Sequence, residues 1–230
     1  MKTDKKLKTP RREFLGTLAT GAAAFGLASI ASPIETSAAS QVALTADPDE
    51  WFNQIQGKHR AVYDVPQPHA IYPFAWARVF LLTNEKTGTP AKDCNVVMVL
   101  RHNAIAYSLQ SSMWEKYKLG EFYKIMDPKT NAPSLRNPFA QAKPGDFVVP
   151  AIGQVAIGIN ELQADGVMFC ACELAIMVQS AVVAASMKKD PEEVRKEWMA
   201  AVLPAIQLVP SGIWALGRAQ EHGCGFIYTA

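Results

Sequence analysis

Two cysteines separated by one residue are the strongest chemical feature of this 230-residue chain. Cys170 and Cys172 lie in GVMFCACEL, where an apolar run typical of a buried strand stops and a helix-like segment begins. A thiol at such a position can be a core side chain, a disulfide partner, a metal ligand or a nucleophile. The surrounding elements decide between these four roles.

The position of Cys172 favours a reactive thiol. It closes the predicted strand, and the partial positive charge at the start of the next helix favours the thiolate. Cys170 lies inside the apolar run and is expected to be a small core side chain. Strand side chains alternate, so both cysteines are expected on one side of the sheet, with Cys172 the more exposed. We therefore predict Cys172 as the main catalytic residue and Cys170 as the second candidate, and an inert, buried Cys172 remains the alternative.

Disulfide formation is interpreted differently for the two pairs of cysteines. A bridge between Cys170 and Cys172 would be strained and easily reduced, so it would serve redox chemistry. Cys94 and Cys224 each precede a predicted strand, at the opposite end of the sheet. With those two strands at the edges of the sheet, about four spacings of 4.8 Å would separate them. We interpret Cys94 and Cys224 as unbridged structural residues.

Several polar residues follow the predicted strands at the same end as Cys172. Arg101 and His102 come directly after the second strand, in LRHN. We predict His102 as a catalytic neighbour of the thiol, and a loop histidine bonded to the backbone is the alternative. Arg101 is predicted to hold an anion, unless it is a solvated charge. Glu173 and Ser211, which begin the helices after the third and fourth strands, complete the predicted substrate-binding set.

Metal and nucleotide sites are not indicated by the sequence. The four histidines and four cysteines show no CxxC or HExxH spacing, so we predict no metal ligand and no cofactor. The chain also has no Walker loop, no GxGxxG after a strand and no GxSxG elbow. A metal or cofactor acquired before export remains a third interpretation.

Strand-like and helix-like segments alternate along the chain. Five continuous apolar runs are predicted as strands covered on both faces, at 77–84, 95–102, 166–172, 205–212 and 225–230. Helices are predicted at 104–120, with Gly120 as its stop, and at 153–166, 173–187, 190–204 and 211–223. The third of these helices is largely apolar and is predicted to be sandwiched between layers. The alternation predicts an α/β fold with a doubly wound, mainly parallel five-stranded sheet and helices on both faces, as in flavodoxin-like proteins.

Residues 121–152 interrupt this alternation with five prolines. Long irregular segments in compact domains often have a function, so this excursion is predicted to cover one face or one site. The region 45–75 is interpreted as similarly irregular. We predict a single domain over 40–230.

The first 39 residues have the features of an export signal. A basic stretch, an apolar run rich in Ala and Gly, and small residues predict cleavage after Ala38 or Ala39. Arg11 and Arg12, followed by Glu-Phe-Leu, resemble the twin-arginine motif. Glycine, serine and threonine dilute the apolar run, so we predict no stable membrane anchor after cleavage. The protein is expected to meet the twin-arginine export machinery and to be periplasmic or otherwise exported.

The charge of the chain argues against nucleic-acid binding. The sequence has 23 Lys and Arg and 21 Asp and Glu, for a net charge of +2. Removing the six basic and three acidic residues of 1–39 leaves 17 and 18, a net charge of about −1. Nucleic-acid binding would need a basic surplus on one face. Four cysteines are also too few for a disulfide scaffold.

The second half of the chain, roughly 77–230, resembles the DsrE-like family of small α/β proteins of sulfur relay. The resemblance lies in NVVMVLRHNAIAY, GVMFCACELA and IQLVPSGIWALGRAQEHGCGFIY. It implies that Cys172, or less favourably Cys170, carries a persulfide. It also implies a homo-oligomer with a sulfur donor or acceptor protein as partner. The export signal and the excursion at 121–152 depart from the cytoplasmic relay members.

Two functions are consistent with these observations. The first is an exported, thiol-based sulfur carrier or redox-exchange protein that uses the cysteine after the third strand. The second is a non-enzymatic oligomeric module that binds a small ligand or partner beneath the excursion, with buried structural cysteines. Whether the protein is an enzyme is left open.

Overall fold

A five-stranded parallel sheet organises residues 47–229, the part of the chain that the structure, a computed structural model, describes. The strands are β1 (His59–Val65), β2 (Cys94–Leu100), β3 (Val148–Val149), β4 (Gly153–Gln154), β5 (Met168–Cys172), β6 (Ile206–Val209) and β7 (Gly225–Tyr228). The sheet has the order β6-β5-β2-β1-β7, and β3 and β4 form a separate antiparallel hairpin. All neighbouring strands of the large sheet are parallel, which confirms the predicted doubly wound α/β class. The predicted signal peptide and its cleavage site lie outside the described residues.

Eight α-helices connect or cover the strands in this part of the chain. They are α1 (Pro48–Phe52), α2 (Tyr72–Lys86), α3 (Ser111–Tyr117), α4 (Leu119–Phe122), α5 (Ile159–Ala164), α6 (Glu173–Ser186), α7 (Pro191–Ala200) and α8 (Gly212–Glu221). The chain crosses the sheet in one direction from β1 to β6, and α8 then returns to place β7 beside β1. Because such crossovers are right-handed, α8 lies on the opposite face from α2 and α6. None of the helices within 47–229 is long and apolar enough to cross a bilayer.

The sheet separates two cores. On one face, Phe74 of α2, Ile176 of α6 and Trp198 of α7 pack against strand residues such as Phe169. On the other face, α1 and α8 cover a smaller core that contains Phe52, Val62, Val97, Cys170 and Leu216. Strands β1, β2, β5 and β6 are therefore largely buried on both sides, which explains their continuous apolar sequences. The edge strand β7 was also predicted to be covered on both faces, but Phe226 and Tyr228 are exposed, so that prediction is wrong for β7.

The first predicted strand, at 77–84, is wrong. These residues belong to α2, whose buried Phe74, Ala77 and Leu81 recur with helical spacing. A short apolar run is consistent with either a buried strand or a helix. In this run the positions between the buried residues are also apolar, Val79 and Leu82 among them, although they are exposed, and this hides the helical spacing. The missing strand is β1 (His59–Val65), which lies within the region predicted to be irregular.

The remaining helix predictions are confirmed in part. The helices predicted at 173–187, 190–204 and 211–223 are α6, α7 and α8, and Asp190 and Ser211 are side-chain N-caps. The helix predicted at 104–120 is a 3-10 helix (His102–Ser108) followed by α3 and the start of α4. Gly120 is not a helix stop. It lies inside α4, where a Cβ would collide with the backbone of Ser134. In 153–166, only the α5 part is α-helical.

The excursion at 121–152 is packed onto the sheet. The ring of Phe139 stacks on Phe74 at 4.2 Å and on Phe147 at 4.9 Å, measured between centroids. The buried amide of Asn137 donates to the carbonyl oxygens of Tyr107 and Leu109, at 2.7 and 2.9 Å. The excursion therefore covers the sheet face on which α2 and α6 lie.

Candidate functional site

An ion pair marks the carboxyl edge of the sheet. The carboxylate of Asp64, buried in β1, accepts hydrogen bonds from Nε and Nη2 of Arg101 at 2.6 and 2.8 Å. Two parallel charge-assisted bonds fix the guanidinium in position and orientation. These bonds raise the pKa of Arg101. Burial acts against them, and the charges of Asp64, Cys172 and Tyr228 act with them.

The register of the sheet brings four strand ends together at this ion pair. Leu100 pairs with Ala171, so the next residues, Arg101 and Cys172, lie at the ends of neighbouring strands. Asp64 in turn pairs with Tyr228 of β7. The site therefore lies at the carboxyl ends of β5, β2, β1 and β7. It includes the point where the strand order reverses, the usual ligand position in doubly wound folds.

The start of α8 packs on the stem of Arg101. A Cβ at Gly212 would lie 2.8 Å from both Cβ and Cδ of Arg101, so this position requires glycine. The preceding residue, Ser211, is the N-cap of α8, and its Oγ accepts the N–H of Trp214 at 3.1 Å. The Ser211 oxygen is therefore used in capping the helix, and its hydroxyl proton remains available to a ligand.

Part of the Arg101 guanidinium is left for a ligand. Asp64 uses Nε and one N–H of Nη2, and within residues 47–229 no hydrogen-bond partner is found for Nη1. The side chain keeps 22% of its surface exposed. A guanidinium with unused N–H groups at a solvent-accessible edge can bind an anion.

Cys172 is both the last residue of β5 and the N-cap of α6. Its Sγ accepts the N–H of Ala175 at 3.3 Å. The residue is only 6% exposed, so the expectation of an exposed thiol is wrong. The first turn of α6 folds back over the sulfur, which sequence spacing alone does not reveal.

Cys170 and Cys172 do not share a side of the sheet. Cys170 belongs to the core that α8 covers, whereas Cys172 belongs to the core beneath α6. The expectation of one side is wrong because Cys172 already caps the helix, and its side chain turns toward Ala175 instead of following the strand alternation. Cys170 is fully buried, and this burial, with a smaller effect of Cys172, raises the pKa of Cys170.

Cys94 and Cys224 lie at the amino ends of their strands, and all four cysteines are free and buried. The premise that their strands form the two edges is wrong, since β6 and β7 are the edges and only β1 separates β2 from β7. The separation is nearer two spacings, about 10 Å, which still exceeds the reach of a disulfide. Burial raises the pKa of Cys224 to about 11 and also raises the pKa of Cys94.

His102 and Glu173 border the site without hydrogen bonds to Cys172. His102 is exposed and has a left-handed backbone, with φ of 48°. No hydrogen bond or ion pair joins it to Cys172 in the described part of the chain. Glu173 follows Cys172 and is half-buried. Burial raises the pKa of Glu173, and the charge of Arg195 opposes this.

Sequence reasoning missed Asp64, Tyr228 and Gly212. The stretch RAVYDV, between Gly57 and Pro66, is a short apolar run that ends near an acid, and it could have revealed both β1 and Asp64. The close approach of Gly212 to Arg101 leaves no sequence signal. Within residues 47–229, no group of three or more His, Cys, Asp or Glu side chains is arranged to hold a metal ion.

A cavity of about 320 Å³ lies under the excursion, separate from Cys172. It opens between the loop after β1 and the excursion, and its lining includes Ile71, Tyr107, Ile125, Phe139 and Phe147. Its size is at the lower end of the range for small-ligand sites, and apolar walls are usual in such sites.

The comparisons with known proteins establish no family. No family model and no curated protein matches the chain. A solved structure that is similar to it is that of a protein of unknown function, MTH1491, from Methanobacterium thermoautotrophicum. The identity is 16%, the match covers 75% of this chain and 100% of the other, and the TM-score is 0.34. At this level the similarity supports neither a family nor a function for this chain.

Proposed function

We propose that the chain is an exported DsrE-like protein whose Cys172 thiolate carries sulfur or exchanges with disulfides. The observation that supports this is the hydrogen bond from the N–H of Ala175 to Sγ of Cys172, at the start of a 14-residue helix. Arg101 adds a positive charge at the end of β2, the strand that pairs with β5 in the sheet. A backbone N–H, a helix N-terminus and a guanidinium all favour negative charge on sulfur, and the thiolate is the nucleophilic form.

The proposed step transfers one sulfur atom without a change in oxidation state. The thiolate of Cys172 attacks the outer sulfur of a donor persulfide. A new S–S bond forms on Cys172, the donor's S–S bond breaks, and the donor leaves as a thiolate. The proton of the donor persulfide stays on the transferred sulfur. With a disulfide partner, the same attack gives a mixed disulfide and releases one thiolate.

The surrounding side chains are assigned supporting roles in this proposal. The unused N–H groups of Arg101 bind the negative charge of the terminal sulfur once the persulfide ionises. His102, Glu173 and Ser211 border the same edge and contact the incoming donor. Since only 6% of Cys172 is exposed, we expect its reaction to be slower than that of a free cysteine.

Mass spectrometry of the native protein after polysulfide treatment tests the proposal. We expect one additional sulfur atom on the peptide that contains Cys172. The Cys172→Ser variant should lose this addition, and the Cys170→Ser variant should keep it, because Cys170 is fully buried. Sulfur that appears on Cys172 only after denaturant is added would refute the proposal.

The second candidate function is a binding module with structural cysteines. The cavity of about 320 Å³ beneath the excursion favours it, as does the burial of all four cysteines. Titration of native thiols with an aromatic disulfide reagent separates the two functions. No release of the reagent's thiolate before unfolding would favour the binding module. In that case the fluorescent aromatic dye anilinonaphthalene sulfonate should bind the native protein, and Ile71→Trp, which narrows the cavity, should weaken this binding.

We also propose export by the twin-arginine route, supported by the sequence of residues 1–39. Replacing Arg11 and Arg12 together by lysine keeps the positive charge and removes the guanidinium pair. We expect the uncleaved precursor to accumulate in the cytoplasm of its own host. Normal cleavage and export of this double variant would contradict the proposed route.

A further inference from the structure

The outer surface of α6 is apolar, and no other part of residues 47–229 covers it. The inner residues of this helix, including Ile176 and Val183, pack into the core. On the outside, Leu174, Val178 and Val182 are 39, 50 and 48% exposed. The exposed Ala181 and Ala185 complete the same stripe. Within residues 47–229, α6 is therefore covered on one side only, and the prediction that it is sandwiched between layers is wrong for this part of the chain.

No charge interrupts this stripe. From Leu174 to Ser186 the helix contains no ionisable residue, whereas the neighbouring helix α7 exposes Glu192, Glu193 and Lys196. Helices at a protein surface normally have a polar outer face, and helices that are apolar all round are normally buried. The composition of α6 is that of a helix with a partner on its outer side.

We propose that a second copy of this chain covers the outer face of α6, with the two helices antiparallel about a two-fold axis. An axis near position 180 places Val178 of one copy opposite Val182 of the other. It also places Leu174, the largest side chain of the stripe, opposite Ser186 and beside Ala185, both of them small. Leu174 thus faces small residues at each end of a stripe about 17 Å long, at 1.5 Å per residue, and the two valines meet near its centre. A two-fold contact requires such self-complementarity.

The ends of α6 support this orientation through their charges. Glu173 is the acidic residue at the start of the helix, and the exposed Lys188 and Lys189 follow its end. Antiparallel packing brings Glu173 of each copy close to Lys188 and Lys189 of the other, so the two-fold axis produces this contact between opposite charges twice. Parallel packing would bring like charges together, so the sequence favours the antiparallel arrangement.

The size of the stripe sets the expected affinity. Its five side chains expose on the order of 300 Å² in each copy, against about 800 Å² per partner in a standard interface. Even with the charged ends included, a dimer through this face is weak. We expect it to dissociate at roughly ten to one hundred micromolar. The assembly does not depend on the proposed chemistry of Cys172.

Sedimentation velocity of the purified chain, from about one to several hundred micromolar, tests the proposal. We expect a concentration-dependent monomer–dimer equilibrium. Val178→Asp should raise the dissociation constant roughly a hundredfold, because it buries a carboxylate without a partner. Val79→Asp is the matched control. Val79 lies on the exposed side of α2 with the same 50% exposure, and its substitution should leave the equilibrium unchanged.

Charge reversal tests the orientation of the helices and does not depend on introducing a charge into the stripe. Glu173→Lys alone should weaken the dimer, as should Lys188→Glu together with Lys189→Glu. Combining all three substitutions should restore it. A monomer at all concentrations would overturn the proposal. An equilibrium that responds to Val79→Asp instead of Val178→Asp, or a failure of the triple variant to recover, would also overturn it.

Discussion

Replacing Asp64 by asparagine tests whether the Asp64–Arg101 pair fixes the site. The substitution keeps the shape of the side chain and removes its charge. One amide oxygen then remains to accept from a guanidinium that donated two bonds, at 2.6 and 2.8 Å. The NH2 group of the asparagine is a donor and cannot accept the second hydrogen bond from Arg101, and the uncharged side chain no longer neutralises the guanidinium.

The structure sets the expected cost of this substitution. The Asp64 side chain is 5% exposed, and breaking a buried ion pair costs about 3–5 kcal/mol. The Arg101 side chain is 22% exposed, so water compensates for part of the loss. We therefore expect Asp64→Asn to lower the free energy of unfolding by about 2–3 kcal/mol. In a domain of this size the melting temperature would fall by roughly 5–10 °C.

A double-mutant cycle in urea measures the pair itself. The four proteins are the parent, Asp64→Asn, Arg101→Met and the double variant, followed by circular dichroism. Methionine keeps an apolar stem beside Gly212 and removes the charge. We expect a coupling energy above about 1 kcal/mol. Glu192→Gln, which removes an exposed partner of Arg195 at 3.5 Å, is the control and should barely move the midpoint. A coupling energy below about 0.5 kcal/mol would be no larger than that of an ordinary exposed ion pair. It would refute the claim that the buried Asp64–Arg101 pair fixes the site.

Three further predictions test the packing around the site and the excursion. Gly212→Ala should lower the free energy of unfolding measured in urea by about 1–3 kcal/mol, because the new Cβ would lie 2.8 Å from two atoms of Arg101. Gly217→Ala is the control in the same helix, and it should raise the free energy of unfolding by about 0.5–1 kcal/mol, because its Cβ would enter open space. Burial opposes the lowering of the Asp127 pKa, but hydrogen bonds from Lys129 N–H and Arg136 still lower it. The stability that this carboxylate contributes above about pH 4 should therefore be lost as the pH falls further. Urea midpoints measured between about pH 2 and 6 should change less with pH in Asp127→Asn than in the parent protein. Asn137→Ala should cost about 2–4 kcal/mol in urea, because it leaves two buried carbonyl oxygens without their donor, and a loss below about 1 kcal/mol would contradict this.

The elements with local signals were predicted correctly. Helix α7 has an N-cap, a proline at its first position and two acids in its first turn, all of which lie close in sequence. Strands β2, β5, β6 and β7 are apolar runs bounded by turn residues. Helix α2 was mistaken for a strand because its exposed side also contains apolar residues, Val79 and Leu82 among them, which hides the helical period.

The site was less predictable because its contacts join distant segments. The edge that holds Arg101 and Cys172 follows from their positions at strand ends. The pairing of Asp64 with Arg101 requires β1 and β2 to be neighbours, and the alternation of elements does not specify strand order. The burial of Cys172 depends on how closely the first turn of α6 folds over its sulfur, a matter of a few ångströms that composition and spacing do not encode.

The double position of Cys172, as strand end and helix cap, links sulfur chemistry to backbone dynamics. Any group bonded to Sγ competes with the N–H of Ala175 for the same lone pairs and space. The amide proton of Ala175 should therefore exchange with solvent faster when the sulfur is modified than when Cys172 is unmodified. The exchange rate of this one amide proton would thus report whether a group is bonded to Sγ of Cys172, without a chemical label on the sulfur.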